Sequence, residues 1–237
     1  MLLALCAAKG SPGATTLAVA LARRAGELGR PALVVEADPA GADLAARLGQ
    51  SPDPGLATLA ATLRRGASLD LAEHLQRLPG TGAPAALLAG PGLALAGSLE
   101  AVHEPLAAAL AATDLAIVDL GRAVPESPAW RAYWPAASLR LCCLRPEVAA
   151  VAHARVLLAM VEAAELAVIG SEPWPPSEVA EVLEAPLALA LPEDATGALA
   201  ALDGHRSLPR SWRRGLDPLL ERCTTPAPAP EAAEVSR

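Results

Sequence analysis

The chain has 237 residues, 53% of them hydrophobic and 2% aromatic, with no Phe; it is long enough for one sizeable α/β domain, whose core must be built from Leu, Val and Ala. Lys and Arg number 19 against 26 Asp and Glu, a formal net charge of −7, which argues against a non-specific nucleic-acid binder, since neutralising phosphates supplies most of such affinity. The four cysteines form no CxxC pair, so they read as reduced core thiols of a cytoplasmic protein.

The opening run, MLLALCAA, is continuously apolar, as a strand covered on both faces must be. It carries no basic stretch in front and is too short for a secretory leader. A glycine-rich loop, KGSPG, follows. TTLAVALARRAGELG then reads as a helix, with Leu17, Ala20, Leu21 and Leu28 on one face and Gly29 as its stop. PALVVEAD is the second strand, completing a β–loop–α–β unit. GADLAARLG is a short helix, and residues 51–75 hold further helical patches. Residues 78–99 carry no charge, but Gly and Pro interrupt them too often for a membrane span. Within them AALLAGPG contains a short strand.

LEAVHEPLAAALAAT is helical and feeds the strand DLAIVDLG. Trp130, Tyr133 and Trp134 then cluster with Pro135, either as an aromatic plug under a long loop or as a partner contact. SLRLCCLRP is a strand, EVAAVAHARVLLAMVEAAE a helix, LAVIGSEP a strand, PSEVAEVLEA a short helix and PLALALPED the last strand. ATGALAALDGHR and SWRRGLDPLLERC close the domain as helices. The alternation predicts a doubly wound, mostly parallel sheet with helices on both faces, spanning residues 1–223. The tail, 224–237, is Pro/Ala-rich and expected to be disordered.

A phosphate-binding loop needs glycines so that backbone N–H groups can close around oxygens, a helix N-terminus, and a hydroxyl for Mg²⁺. Gly10 and Gly13 supply the room, and Thr15, followed by Thr16, opens the helix in the hydroxyl position. Of the 19 cations 18 are Arg, and the single Lys, Lys9, stands at the head of this loop. Carboxylates Asp38 and Asp119 end the two matching strands, where ligands of such sheets sit; a loop-capping role is the alternative. His74, His103, His153 and His205 show no metal-ligand spacing.

KGSPGATT resembles the deviant Walker A loop of the ParA/MinD family of P-loop ATPases, KGGxGKTT. LVVEADPAGADLAARLG resembles the family's first switch segment, with Glu36 in place of its first Asp. DLAIVDLG resembles its Walker B strand, SLRLCCLRPEVAAVAHARVLLAMVE a following strand and helix, and LALPEDATGALAALDG the late segment beside the base. The resemblance runs in collinear order over about residues 1–222. It implies a P-loop NTPase-like fold, ATP and Mg²⁺ as ligands, and a nucleotide-linked homodimer. It further implies that Lys9 contacts phosphate across that dimer, and that Gly10, Ser11, Gly13, Ala14, Thr15 and Thr16 form the phosphate cradle. Thr15 and Asp119 would hold Mg²⁺, Asp119 through water; Asp38 would orient the attacking water; Pro192 and Glu193 would flank the base. The cellular role implied is positioning of cargo such as a chromosome, plasmid, division site, pilus or secretion machine.

The departures bear on activity. Ala14 replaces the loop lysine that grips the β- and γ-phosphates, and the chain has no Asn to read adenine. Losing that cation weakens binding and turnover, so the expectation is weak ATPase activity or none. Lys9 and Arg122 are candidate substitutes. A pseudo-ATPase interaction scaffold, with an unknown protein partner, is the other reading. The segment 206–222 is locally basic, with Trp212, Leu216, Leu219, Leu220 and Cys223 on one helical face; a closing helix packed on the sheet is favoured over a membrane or DNA patch.

Overall fold

The structure, a computed structural model, describes residues 1–80, 82–90, 96–161 and 163–223; the expected tail lies outside them. The centre of the fold is β1 (Leu2–Ala7), buried at every position. Successive side chains of a strand point to opposite faces. Accordingly Leu2, Ala4 and Cys6 join one apolar cluster, and Leu3, Leu5 and Ala7 the other. A strand apolar on both faces can only sit inside a sheet covered by helices on both sides.

That sheet has eight strands: β1, β2 (Leu33–Glu36), β3 (Gln76–Arg77), β4 (Ala85–Leu87), β5 (Ala116–Arg122), β6 (Leu139–Leu144), β7 (Glu165–Ile169) and β8 (Leu187–Leu191). Their order is β3-β4-β2-β5-β1-β6-β7-β8. All pairings are parallel except β3 with β4. One face carries α1 (Ala14–Glu27), α2 (Leu44–Leu48), α8 (Ala195–Asp203) and α9 (Arg210–Arg222). The other carries α3 (Leu56–Arg64), α4 (Ala96–Ala111), α5 (Pro128–Ala136), α6 (Val148–Met160) and α7 (Pro176–Leu183). The expected doubly wound, mostly parallel architecture is therefore the observed one.

Two elements differ from expectation. The two-residue β3 is too short to show any alternation. The aromatic cluster is not a loop plug: it lies on α5, where Pro128 starts the helix and the Ser127 hydroxyl accepts from Trp130 N at 3.2 Å. A proline in the first turn costs a helix no hydrogen bond. Tyr133 is fully buried and Trp130 stacks on Trp134 at 4.2 Å between ring centroids, so these rings fill the core. In the same way α9 turns Trp212, Leu216, Leu219 and Leu220 inward, and its apolar face is covered by this chain itself. Among the described residues no helix is long and apolar enough to cross a membrane.

Two ties lock α1 to the closing helices. The Arg23 guanidinium is buried and donates to Ala201 O at 2.6 Å and Leu202 O at 2.9 Å, satisfying carbonyls at the end of α8. Arg24 grips the Asp217 carboxylate of α9 with both arms, at 2.7 and 3.0 Å. The helix that carries the glycine loop is thus held from its far side.

Candidate functional site

The strand order reverses around β1, with β5 and β2 on one side and β6 to β8 on the other. In an open α/β sheet the crevice beyond the carboxyl ends at such a point is where ligands bind. A cleft of about 700 Å³ occupies that place. The loop between β1 and α1 forms its floor, and Gly10, Ser11, Gly13, Ala14, Thr15 and Thr16 all line it. Gly13 caps α1 with φ +103°, a conformation side chains disfavour. That cap offers no side-chain acceptor, and the first turn of α1 has no acidic residue. The helix's unpaired N–H groups, with the positive end of its dipole, are left for an acceptor in the cleft.

Thr15 and Asp119 meet at the centre. The Thr15 hydroxyl faces the Asp119 carboxylate closely enough to favour its charge, and Asp119 accepts from Gly121 N at 2.9 Å. Asp119 is 3% exposed, and burial pushes its carboxyl up. Glu36, its register partner on β2, is equally buried. Glu36 accepts from Leu44 N at 2.8 Å and Ala89 N at 3.2 Å, pinning the chain that follows β2. Burial nevertheless raises it to about 7, and repulsion from Asp119 acts in the same direction. Asp38 lines the cleft, accepts from Ala40 N at 2.8 Å, and is likewise pushed up by burial. Three carboxylates are thus gathered at the ends of two adjacent strands. Desolvation and mutual repulsion both disfavour their charge, and a cation would relieve both.

The neighbourhood of Asp38 depends on a bulge. Leu5 pairs with Asp119 but Ala7 pairs with Arg122, so β5 spends an extra residue there. Gly121 makes the bend with φ +59°, and a Cβ on it would collide with the Asp38 carboxylate. Bulges recur beside active sites because they re-aim side chains.

At the other end of the cleft Ile169, Leu191, Ala198 and Trp212 form an apolar wall. Glu193 lines it and pairs with Arg145 at 2.9 Å; Pro192 is its exposed neighbour. Nε1 of Trp212 is buried without a hydrogen-bond partner among the described residues. Lys9 lies apart from the lining residues. Its ammonium, exposed, sits 3.2 Å from Nε2 of His153 on α6. The structure therefore brings Asp38, Asp119, Glu193 and the loop from Gly10 to Thr16 to one crevice and turns Lys9 to its outer edge. Sequence reasoning missed Asp43, Arg47, Arg145 and Trp212. Arg145 had a signal, following directly on the strand that ends CCL, whereas Trp212 comes from a helix remote in the chain. Among the described residues no group of three or more His, Cys, Asp or Glu could hold a metal by itself; any ion here would be completed by the Thr15 hydroxyl and by its own ligands.

No protein-family model matches the chain, and no curated protein matches its sequence. Solved structures do match it in fold. The septum site-determining protein MinD from Pyrococcus horikoshii, complexed with Mg-ADP, is 19% identical with a TM-score of 0.71, over 93% of this chain and 94% of that one. A ParA family ATPase from Chlorobium tepidum is 17% identical with a TM-score of 0.71, over 94% and 96%. The MinC:MinD cell division complex of Aquifex aeolicus is 14% identical with a TM-score of 0.69, over 96% and 97%. The chain has the ParA/MinD-like P-loop ATPase fold.

Proposed function

We propose that this protein binds ATP with Mg²⁺ in the crevice at the end of β1, weakly and with little or no hydrolysis, and acts in positioning cellular cargo. The observation that carries the reading is the Thr15–Asp119 pair, hydroxyl against buried carboxylate, at the foot of a cleft of nucleotide size floored by a glycine loop. The donor set fits the ligand. Hydroxyl and carboxylate oxygens suit Mg²⁺, which keeps several waters and takes one or two protein oxygens. Unpaired amides at the start of α1 suit phosphate oxygens.

In this reading Thr15 and Asp119 hold the ion, Asp119 through water. The ion supplies charge neutralisation to the phosphates, as in phosphoryl transfer generally. Backbone amides of Gly10, Ser11, Gly13, Ala14, Thr15 and Thr16 cradle the phosphates, and Asp38 holds a water by hydrogen bonding. Pro192 and Glu193 stand at the base end beside the apolar wall. In the same reading Lys9, exposed at the loop's outer edge, meets the phosphates of a second copy of the chain in a nucleotide-linked homodimer. The cargo class follows the fold relatives, whose names include cell division and partition proteins.

A second reading is favoured by Ala14. With no cation in that slot, the fold could serve as an interaction scaffold that has lost nucleotide. Calorimetric titration with ATP and Mg²⁺ separates the two. Saturable binding that weakens at least about tenfold in Thr15→Ala, the effect of one lost charge-assisted contact, is the expected result. No heat at millimolar ATP would remove the nucleotide reading in favour of the scaffold, and binding indifferent to Thr15→Ala would overturn the assignment of the nucleotide to this crevice.

A further inference from the structure

We infer that Arg122 is the phosphate-gripping cation of this cleft and replaces, from the end of β5, the charge that position 14 lacks; the inference rests on the nucleotide reading above.

The electrostatics of the crevice demand a cation somewhere. Asp38, Asp43, Glu193 and Asp194 line it and Asp119 is buried beneath it. A nucleoside triphosphate adds further negative charge. The dipole of α1 contributes only about half an elementary charge, and one divalent ion does not balance the rest.

Among the described residues three arginines line the cleft: Arg47, Arg122 and Arg145. Arg145 is engaged with Glu193 at 2.9 Å. Arg47 is engaged with Asp43 at 3.3 Å, four residues earlier on the chain. Lys9 is turned to His153. Arg122 is exposed and makes no side-chain hydrogen bond or ion pair among the described residues; its charge reaches Asp38, whose carboxyl it pulls down against the effect of burial.

Its position is specified by backbone geometry. The β5 bulge sets Arg122 rather than Gly121 in register with Ala7, the last residue of β1 before the loop, and Ala123 N donates to Ala7 O at 2.9 Å. The last strand residue before the glycine loop and the residue that bears the guanidinium are therefore paired across two central strands. Ala14 lines the same cleft from the first turn of α1. An arginine suits this task, because its planar fork binds phosphate oxygens in pairs.

The test is a calorimetric titration of the full chain with ATP and Mg²⁺, using the wild type, Arg122→Ala, Arg122→Lys, Ala14→Lys and the Arg122→Ala/Ala14→Lys double variant. Arg122→Ala should bind at least about tenfold more weakly. Arg122→Lys, which keeps the charge but not the paired donors, should bind more weakly than the wild type and more tightly than Arg122→Ala, and Ala14→Lys should restore binding to Arg122→Ala. Thermal melts should shift little in Arg122→Ala, since the exposed side chain makes no hydrogen bond or ion pair among the described residues and acts on Asp38 only through its charge. Wild-type binding that Arg122→Ala leaves unaltered would overturn this inference alone. Loss in Arg122→Ala without rescue by Ala14→Lys would overturn the replacement. Binding by Ala14→Lys but not by the wild type would show that Arg122 does not supply the charge. Binding by neither would overturn the nucleotide reading itself.

Discussion

Replacing Glu36 by Gln should flatten the pH dependence of stability. Glu36 is 3% exposed at the end of β2, and burial raises its carboxyl from 4.5 to about 7 despite backbone N–H groups from Leu44, Ala89 and Asp43 that favour the charge. An acid whose folded pKa lies above its unfolded value binds more protons folded than unfolded in the interval between them. Stability then falls as pH rises through that interval, is highest below it, and levels off above it. Each unit of difference is about 1.4 kcal/mol, so Glu36 should remove about 3 kcal/mol between roughly pH 4.5 and pH 7. Asp38 and Asp119, also raised, act in the same direction and steepen the wild-type curve. The amide introduced by Glu36→Gln cannot titrate. It can still accept from Leu44 N but turns a donor towards Ala89 N, a cost that is independent of pH. The informative quantity is therefore the slope and not the offset. Urea unfolding of both proteins at steps from about pH 5 to about pH 8 measures it. Wild-type and variant curves running parallel across that range would refute the argument.

Gly121→Ala should destabilise the fold by about 2 kcal/mol, half from the left-handed backbone and half from driving the Asp38 carboxylate off Ala40 N; an unchanged urea midpoint would count against the bulge as a specified feature. Arg23→Met keeps the apolar stem but leaves the carbonyls of Ala201 and Leu202 without their buried donor, and should cost about 2–4 kcal/mol by the same measurement. A loss below about 0.5 kcal/mol would mean that α8 is held by packing alone.

Much of the fold was legible because parallel strands covered on both faces leave a plain trace. The runs LLALCA, LVVE, AIVDLGR and LRLCCL are short and apolar with helical periodicity between them. Helix α5 was not legible, since two prolines within nine residues ordinarily argue against a helix, whereas Pro128 occupies a first turn with no donor to lose. The site was legible where chemistry is local to one segment, as with Thr15 beside Gly13 or Asp119 at a strand end. It was not legible where the structure assembles distant residues. Arg145 pairs with Glu193 from another strand end, and Trp212 reaches the cleft from the last helix. The outward turn of Lys9 depends on His153, 144 residues away.

Three buried or half-buried carboxylates are gathered at the carboxyl edge of the sheet, beside the glycine loop. Buried carboxylates are expensive unless paired with a positive charge, yet Glu36 and Asp119 stand in register on neighbouring strands, and Asp38 is pressed close against the left-handed Gly121. The first turn of α1 carries no side-chain cap and opens onto the same crevice, so its amides are free to meet a ligand there. Stability would improve with an apolar residue at 36 or an acid in that first turn, and the sequence has neither. At the carboxyl edge of the sheet, around one loop, the carboxylates and the free helix amides suit a ligand with both positive and negative charge, in which a cation meets the carboxylates and an anion meets the helix. A phosphate ester with its divalent ion has that pattern of charge, and Arg122 lines the same crevice as the glycine loop.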